Sequence, residues 1–150
     1  MALDPTTALK QIRDLVAGIE GFQRVYCEAN TDADALPDAL AQWPCALIFL
    51  GNTTEYLLVA PRQRHTYEVE VWIFPGASSG QNAAQGLGLF MDVVDLFAGN
   101  VTLGGRVTYC LLERQEGPVS EFYGRDIPFT VRKVVLRVSE AANVTAAGGD

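Results

Sequence analysis

Apolar residues along this chain recur in two periods. Behind Asp4-Pro5, residues Leu9, Ile12, Val16 and Ile19 follow helical spacing. That stripe predicts a first helix, with Asp4 capping free amides and Pro5 at the first helical position. Gly18 and Gly21 mark its end. A second, longer helix is predicted from Leu87, Phe90, Met91, Val94 and Phe97, with Ser78 and Ser79 offering caps and Gly99 the stop. Gly86 and Gly88 inside it each cost about 1 kcal/mol relative to alanine. They signal either close packing on a sheet or a bend.

The rest of the pattern has period two. Arg24 to Glu28 reads as a short strand with Val25 and Cys27 on one face. "CALIFLG" reads as a strand buried on both faces and ended by Gly51-Asn52, and "TEYLLV" as a second strand forming its hairpin partner, ended by Pro61. The clearest alternation is "RHTYEVEVWIFPG". Tyr67, Val69, Val71 and Ile73 share one face and Glu68 and Glu70 the other. Trp72 and Phe74 lie on the glutamate face, which therefore turns apolar near Pro75-Gly76 and needs cover, from this chain or from a neighbour.

Further on, Val107, Tyr109 and Leu111 alternate with Thr108, Cys110 and Leu112, and "RQEGPVSEFYGRD" reads as a loop. In the last strand Ile127, Phe129 and Val131 fit one alternation, whereas Val134, Leu136 and Val138 fit the opposite one. One extra residue near Arg132-Lys133 reconciles them, which predicts a β-bulge there. Residues 30–43 form an acidic connector in which Pro37 prevents a continuous helix.

The expected fold is α+β: a single mixed, mainly antiparallel sheet of four to six strands with two main helices packed on one face. One domain covers residues 1–139, and 140–150 form a small, polar C-terminal tail. Such a sheet has edges that are either protected or used for docking.

Composition narrows the function classes. The chain has 150 residues, of which 49% are hydrophobic, which suits one domain and argues against disorder. Its net charge of −7 provides no positive field to hold nucleic acid. Cys27, Cys45 and Cys110 stand singly in apolar runs, and His65 is the only histidine. They read as buried small hydrophobes in a reducing compartment rather than as a zinc site. The N-terminus lacks the pattern of a secretory signal, and no run approaches the ~20 apolar residues of a membrane span. The expectation is a soluble protein made in a cytoplasm, whose Asn-x-Thr triplets at Asn52, Asn100 and Asn143 are chance.

Candidate chemistry is sparse. Gly104-Gly105 follows a helix and precedes a strand, the reverse of a phosphate cradle, and reads as a tight turn with positive φ. A Ser-His-acid triad would need His65, which starts a strand beside Arg62 and Arg64. Glu68 with Glu70, and Asp32 with Asp34 and Asp38, read as solvated carboxylates rather than a metal or glycosidase site. Arg62, Arg64 and His65 form one small cationic patch, and Arg132, Lys133 and Arg137 another, suited to an acidic neighbour. With no catalytic set, metal site or cofactor motif, the residues point to interaction rather than to an enzyme.

The N-terminal helix, "LPDALAQWPCALIFLG", "HTYEVEVWIFPG", a mid-chain helix closing in "FAGNVTLGGRV" and a final "FYGRDIPFTVRKVVLRV" together resemble the tail terminator (tail completion, or minor tail) proteins of long-tailed bacteriophages, over about residues 5–139. The resemblance implies a virion protein at the tail–neck junction, synthesised in the bacterial host cytoplasm. It implies a homohexameric ring that caps the tail tube, ends tube polymerisation and docks the head connector or stopper, with DNA passing unbound and no cofactor or membrane involved. Under it, Trp72, Phe74, Arg62, Arg64, Phe122, Tyr123 and Arg132 are candidates for subunit or tube contact. Glu68, Glu70, Asp32 and Asp34 are candidates for an acidic lumen. Hairpin 52–65 and loop 115–125 would reach the tube or an adjacent subunit. The alternatives are a head–tail joining or neck protein of another type, and a small cytosolic ligand-binding or enzymatic domain using His65 or the glutamates.

Overall fold

A computed structural model describes residues 4–59, 61–78 and 80–143. The elements are α1 (Pro5–Ala17), β1 (Arg24–Cys27), β2 (Cys45–Val59), β3 (Arg62–Phe74), α2 (Ala83–Ala98), β4 (Tyr109–Glu121) and β5 (Phe129–Asn143). The strands form one sheet in the order β1-β2-β3-β5-β4, with β1 and β2 parallel and every other pair antiparallel. This is the expected α+β architecture, with both helices on one face.

α1 forms as its sequence predicts. Asp4 accepts a hydrogen bond from the Thr7 amide at 3.1 Å, and Ala8, Leu9, Ile12 and Val16 are buried. α2 forms as well, but turned about its axis relative to the predicted stripe. Its buried line is Gly86, Leu89, Val93 and Phe97, while Leu87 and Met91 are 43% and 55% exposed. The cause is Pro75, which packs so closely that a Cβ on Gly86 would stand 2.4 Å from the proline Cγ. Gly86 therefore serves close packing, and Gly88 faces open space. Among the predicted caps, Ser79 lies outside the described residues; the N-cap is Asn82 at φ 56°, whose side-chain amide donates to the Pro75 carbonyl at 3.2 Å.

Three strand expectations are corrected. First, "CALIFLG" and "TEYLLV" are one strand, β2, and the partner of "TEYLLV" is the beginning of β3. Gly51-Asn52 is a site of irregular register, not an end. Second, most of "RQEGPVSEFYGRD" is strand rather than loop, since β4 runs to Glu121. Pro118 is tolerated there because β4 is an edge strand and the register shifts between Glu116 and Val119. Third, β5 has no bulge. It pairs with β3 in unbroken register from Arg132–Ile73 to Asn143–Arg62, and the irregularities lie in β4.

The apolar phase of β5 changes because its cover changes. Phe129 and Val131 pack on the helix-free face, and Val134, Leu136 and Val138 pack under the helices. β5 also claims residues 140–143 of the predicted tail; 144–150 lie outside the described residues.

Two cores result. The larger joins α1 and α2 to Val25, Cys27, Ala46, Ile48, Tyr67, Val69, Val71, Ile73, Val134, Leu136 and Val138. The smaller lies on the opposite face at one end of the sheet. There Tyr26, Leu47, Phe74, Phe129 and Val131 are covered by Leu36, Leu40 and Trp43 of the connector and by Tyr123. Fully burying each large apolar side chain contributes roughly 1.5–3 kcal/mol.

Candidate functional site

Beyond Leu50 the β2–β3 ladder leaves the core and continues as an arm. β1 ends at Cys27, opposite Ile48, and β4 begins at Tyr109, opposite Ser139. The arm consequently holds only the distal parts of β2 and β3 and the end of β5. From Glu55 onward its pairing is regular: Glu55 opposite Thr66, Tyr56 opposite His65, Leu57 opposite Arg64, Leu58 opposite Gln63 and Val59 opposite Arg62. On the helix side Thr53 Oγ1 and His65 Nε2 lie 3.0 Å apart, and the rings of Tyr56, His65 and Tyr67 follow one another at 5.6 and 4.8 Å. On the reverse side Arg64 Nε donates to Glu55 at 3.1 Å. Leu57, Val59, Arg62 and Arg64 line a shallow hollow of about 290 Å³ there. Leu58 and Val59 are 59% and 72% exposed. Apolar side chains thus stand bare on both sides of the arm.

The helix-free face of the sheet carries a band of paired charges. Arg114 donates to buried Glu68 at 3.0 Å and to Glu116 at 3.0 Å, and Lys133 reaches Glu121 at 2.6 Å. The bond to Glu68, then that to Glu116, raises the Arg114 pKa above its ordinary range. Arg137 pairs with Glu113 at the exposed margin. The expectation that Glu68 and Glu70 form a freely solvated face is corrected: Glu68 is buried and ion-paired, and Glu70 accepts from the Trp72 indole at 2.9 Å.

The other candidates divide between surface and interior. Phe74 is wholly buried, with Phe129 at 5.2 Å and Tyr123 at 6.2 Å, so this chain supplies its own cover at that point. Tyr123 is half-buried and donates to the Pro37 carbonyl. Trp72 is half-buried against Phe49, with Lys133 Nζ 4.1 Å from its ring. The Arg132 guanidinium lies 5.5 Å from the Phe90 ring, on the helix side. Asp34 is bound to Arg13 at 2.9 Å and to Arg24 at 2.7 Å, which fastens the connector to α1 and β1. Asp32 is exposed, and its side chain accepts from the Asp34 amide. Of the eleven candidates, Arg62, Arg64, Phe122 and Asp32 are fully on the surface. Only the two arginines share one feature, the arm.

His65 and the glutamates do not converge, because odd and even positions of β3 face opposite sides of the sheet. Gly104 and Gly105, at φ +71° and +88°, form the expected turn. The Gly105 amide donates to the Thr102 carbonyl at 3.0 Å, and Gln11 of α1 clamps the turn through the Leu103 carbonyl at 2.6 Å. All three cysteines are buried, and burial pushes the Cys45 and Cys110 thiols up to about 12. Among the described residues no group of three or more His, Cys, Asp or Glu is placed to hold a metal ion, and no helix is long and apolar enough to cross a membrane.

Sequence reasoning missed the exposed Leu87–Met91 line of α2 and the part played by Arg114. The arm itself was partly visible as hairpin 52–65, although "TEYLLV" was matched to "CALIFLG" rather than to the beginning of β3. No protein-family model matches this chain, and no curated protein matches it.

Proposed function

We propose that this chain is a structural virion protein whose copies form a ring that caps a phage tail tube, ends tube polymerisation and offers a docking surface to the head connector. The observation that carries this reading is the arm. Residues 53–66 spend four apolar side chains, Tyr56 to Val59, on a projection with no core of its own. Exposed apolar surface of this kind belongs to proteins that complete themselves against a neighbour.

The resemblance of the sequence to terminator proteins supports reading the neighbour as a sister subunit and the tube. A ring closes heterologous contacts without leaving a free end. A chain of net charge −7 lets DNA pass without gripping it. Deleting the gene tests the proposal: tails of uncontrolled length are expected, and head-joined tails of normal length overturn it. A subunit imaged only against the portal ring would assign it instead to another neck role.

A further inference from the structure

We infer that the arm of one copy docks on the outer face of α2 of a second copy. Met91 of the second copy enters the hollow between Leu57 and Val59, and Arg62 and Arg64 meet Asp92 and Asp95. The pairing rests on the reading of copies that assemble with one another, and it names the two surfaces that do so.

Each surface has what the other lacks. The arm, residues 53–66, carries one acid, Glu55, and two arginines, in a chain that is acidic as a whole. Glu55 is taken up by Arg64, while Arg62 has no ion pair among the described residues. Arg62 and Arg64 sit directly opposite Val59 and Leu57, so cations and apolar side chains share one side of the ladder and one hollow. α2 contains two aspartates and neither lysine nor arginine. Leu87, Met91 and Asp95 succeed one another at intervals of four residues along its exposed line, and Asp92 lies beside Met91. Gly88, next to this line, adds no side chain and leaves room for a close approach.

Within a single chain both surfaces stay bare. Leu87 and Met91 are exposed on α2, as are Leu57 and Val59 on the arm. Contact between them removes four apolar side chains from water and sets two cations against two anions at the rim, where charge fixes register and partner choice. The two surfaces differ, so copies joined head to tail make a heterologous contact. Each added copy still offers a free arm at one side and a free α2 at the other until the assembly closes.

Sedimentation velocity over a concentration series, on the full chain and two charge-reversed variants, tests this. Arg62→Glu/Arg64→Glu and Asp92→Lys/Asp95→Lys should each weaken self-association about ten-fold or more, which corresponds to ~1.4 kcal/mol. All four positions are exposed, and unchanged circular dichroism and melting confirm that the variants fold. An equimolar mixture of the two variants should regain association, because each surface then meets an opposite charge.

A wild-type chain that stays monomeric throughout, or association that survives in both variants, overturns the pairing. In the second case ring assembly through other surfaces would still stand. Conversely, association that follows the charges in a chain whose gene deletion leaves normal, head-joined tails would sink the tail-capping reading and keep the pairing.

Discussion

The two halves of the β2–β3 ladder share strands, antiparallel pairing and apolar content, yet their surroundings are opposite. Cys45 to Ile48 are buried against Val71 to Phe74, with helices on one side and the connector on the other. Tyr56 to Val59 pair just as regularly with Arg62 to His65 and lie open. Strand formation therefore follows from pairing and side-chain type, whereas burial is decided by what α1, α2 and residues 28–44 can reach. The apolar residues of the arm contribute little to the stability of the chain that carries them and are available to a second molecule.

The largest expected contrast is in amide exchange. In the dilute monomeric chain, amides of 69–73 should exchange only through global unfolding and those of 55–59 by local opening, orders of magnitude faster. Equal protection in the two halves would abolish the distinction. Next, Ile73→Ala should lower stability by about 2–5 kcal/mol, read from the urea midpoint, because it empties a fully buried site.

Gly86→Ala should cost about 1–3 kcal/mol, since its methyl group meets Pro75. Gly88→Ala, in open space, should be neutral or stabilising by up to ~1 kcal/mol. Equal effects at the two glycines would refute the observed seating of α2.

Asp4 supplies a smaller, pH-dependent effect. Hydrogen bonds from the Thr7 side chain and then its amide hold the carboxyl below its ordinary value of 3.8. The stabilisation it gives is present above that value and is lost as pH falls through the lower folded one. The melting difference between wild type and Asp4→Ala should accordingly narrow in acid and stay flat near neutrality. Smallest of all, Leu58→Ser should move monomer stability by no more than about 0.5 kcal/mol. A loss like that of Ile73→Ala would mean the arm supports its own chain.

The sequence was most legible where one face is buried along a whole element. The α1 stripe and the alternation of Tyr67, Val69, Val71 and Ile73 both appear where the pattern places them. It was least legible where cover changes or where more than one stripe is apolar. α2 carries Leu87 and Met91 beside Leu89 and Val93, and the close approach of Pro75 to Gly86 favours the line that is buried. In β5 the apolar side switches because the Trp43 and Tyr123 segments cover one end and the helices the other; no periodicity within β5 encodes that. Among the candidate residues, Arg62 and Arg64 kept their exposure, whereas Phe74, Glu68 and Asp34 found partners far away in sequence. Composition alone does not reveal such partners.

The uneven register of β2 has a consequence for the arm. Leu50 pairs with Val69 and Val59 with Arg62, so β2 takes nine steps where β3 takes seven. The two surplus residues are taken up between Leu50 and Glu55, and from Glu55 onward each residue of β2 keeps a partner on β3, whose faces are held by unbroken pairing with β5. Removing Thr54 alone would close one irregularity and leave Glu55 opposite Thr66, so Leu57 and Val59 would stay on the side of Arg64 and Arg62. The side on which this molecule offers its grip is thus set by β3 and not by the length of β2.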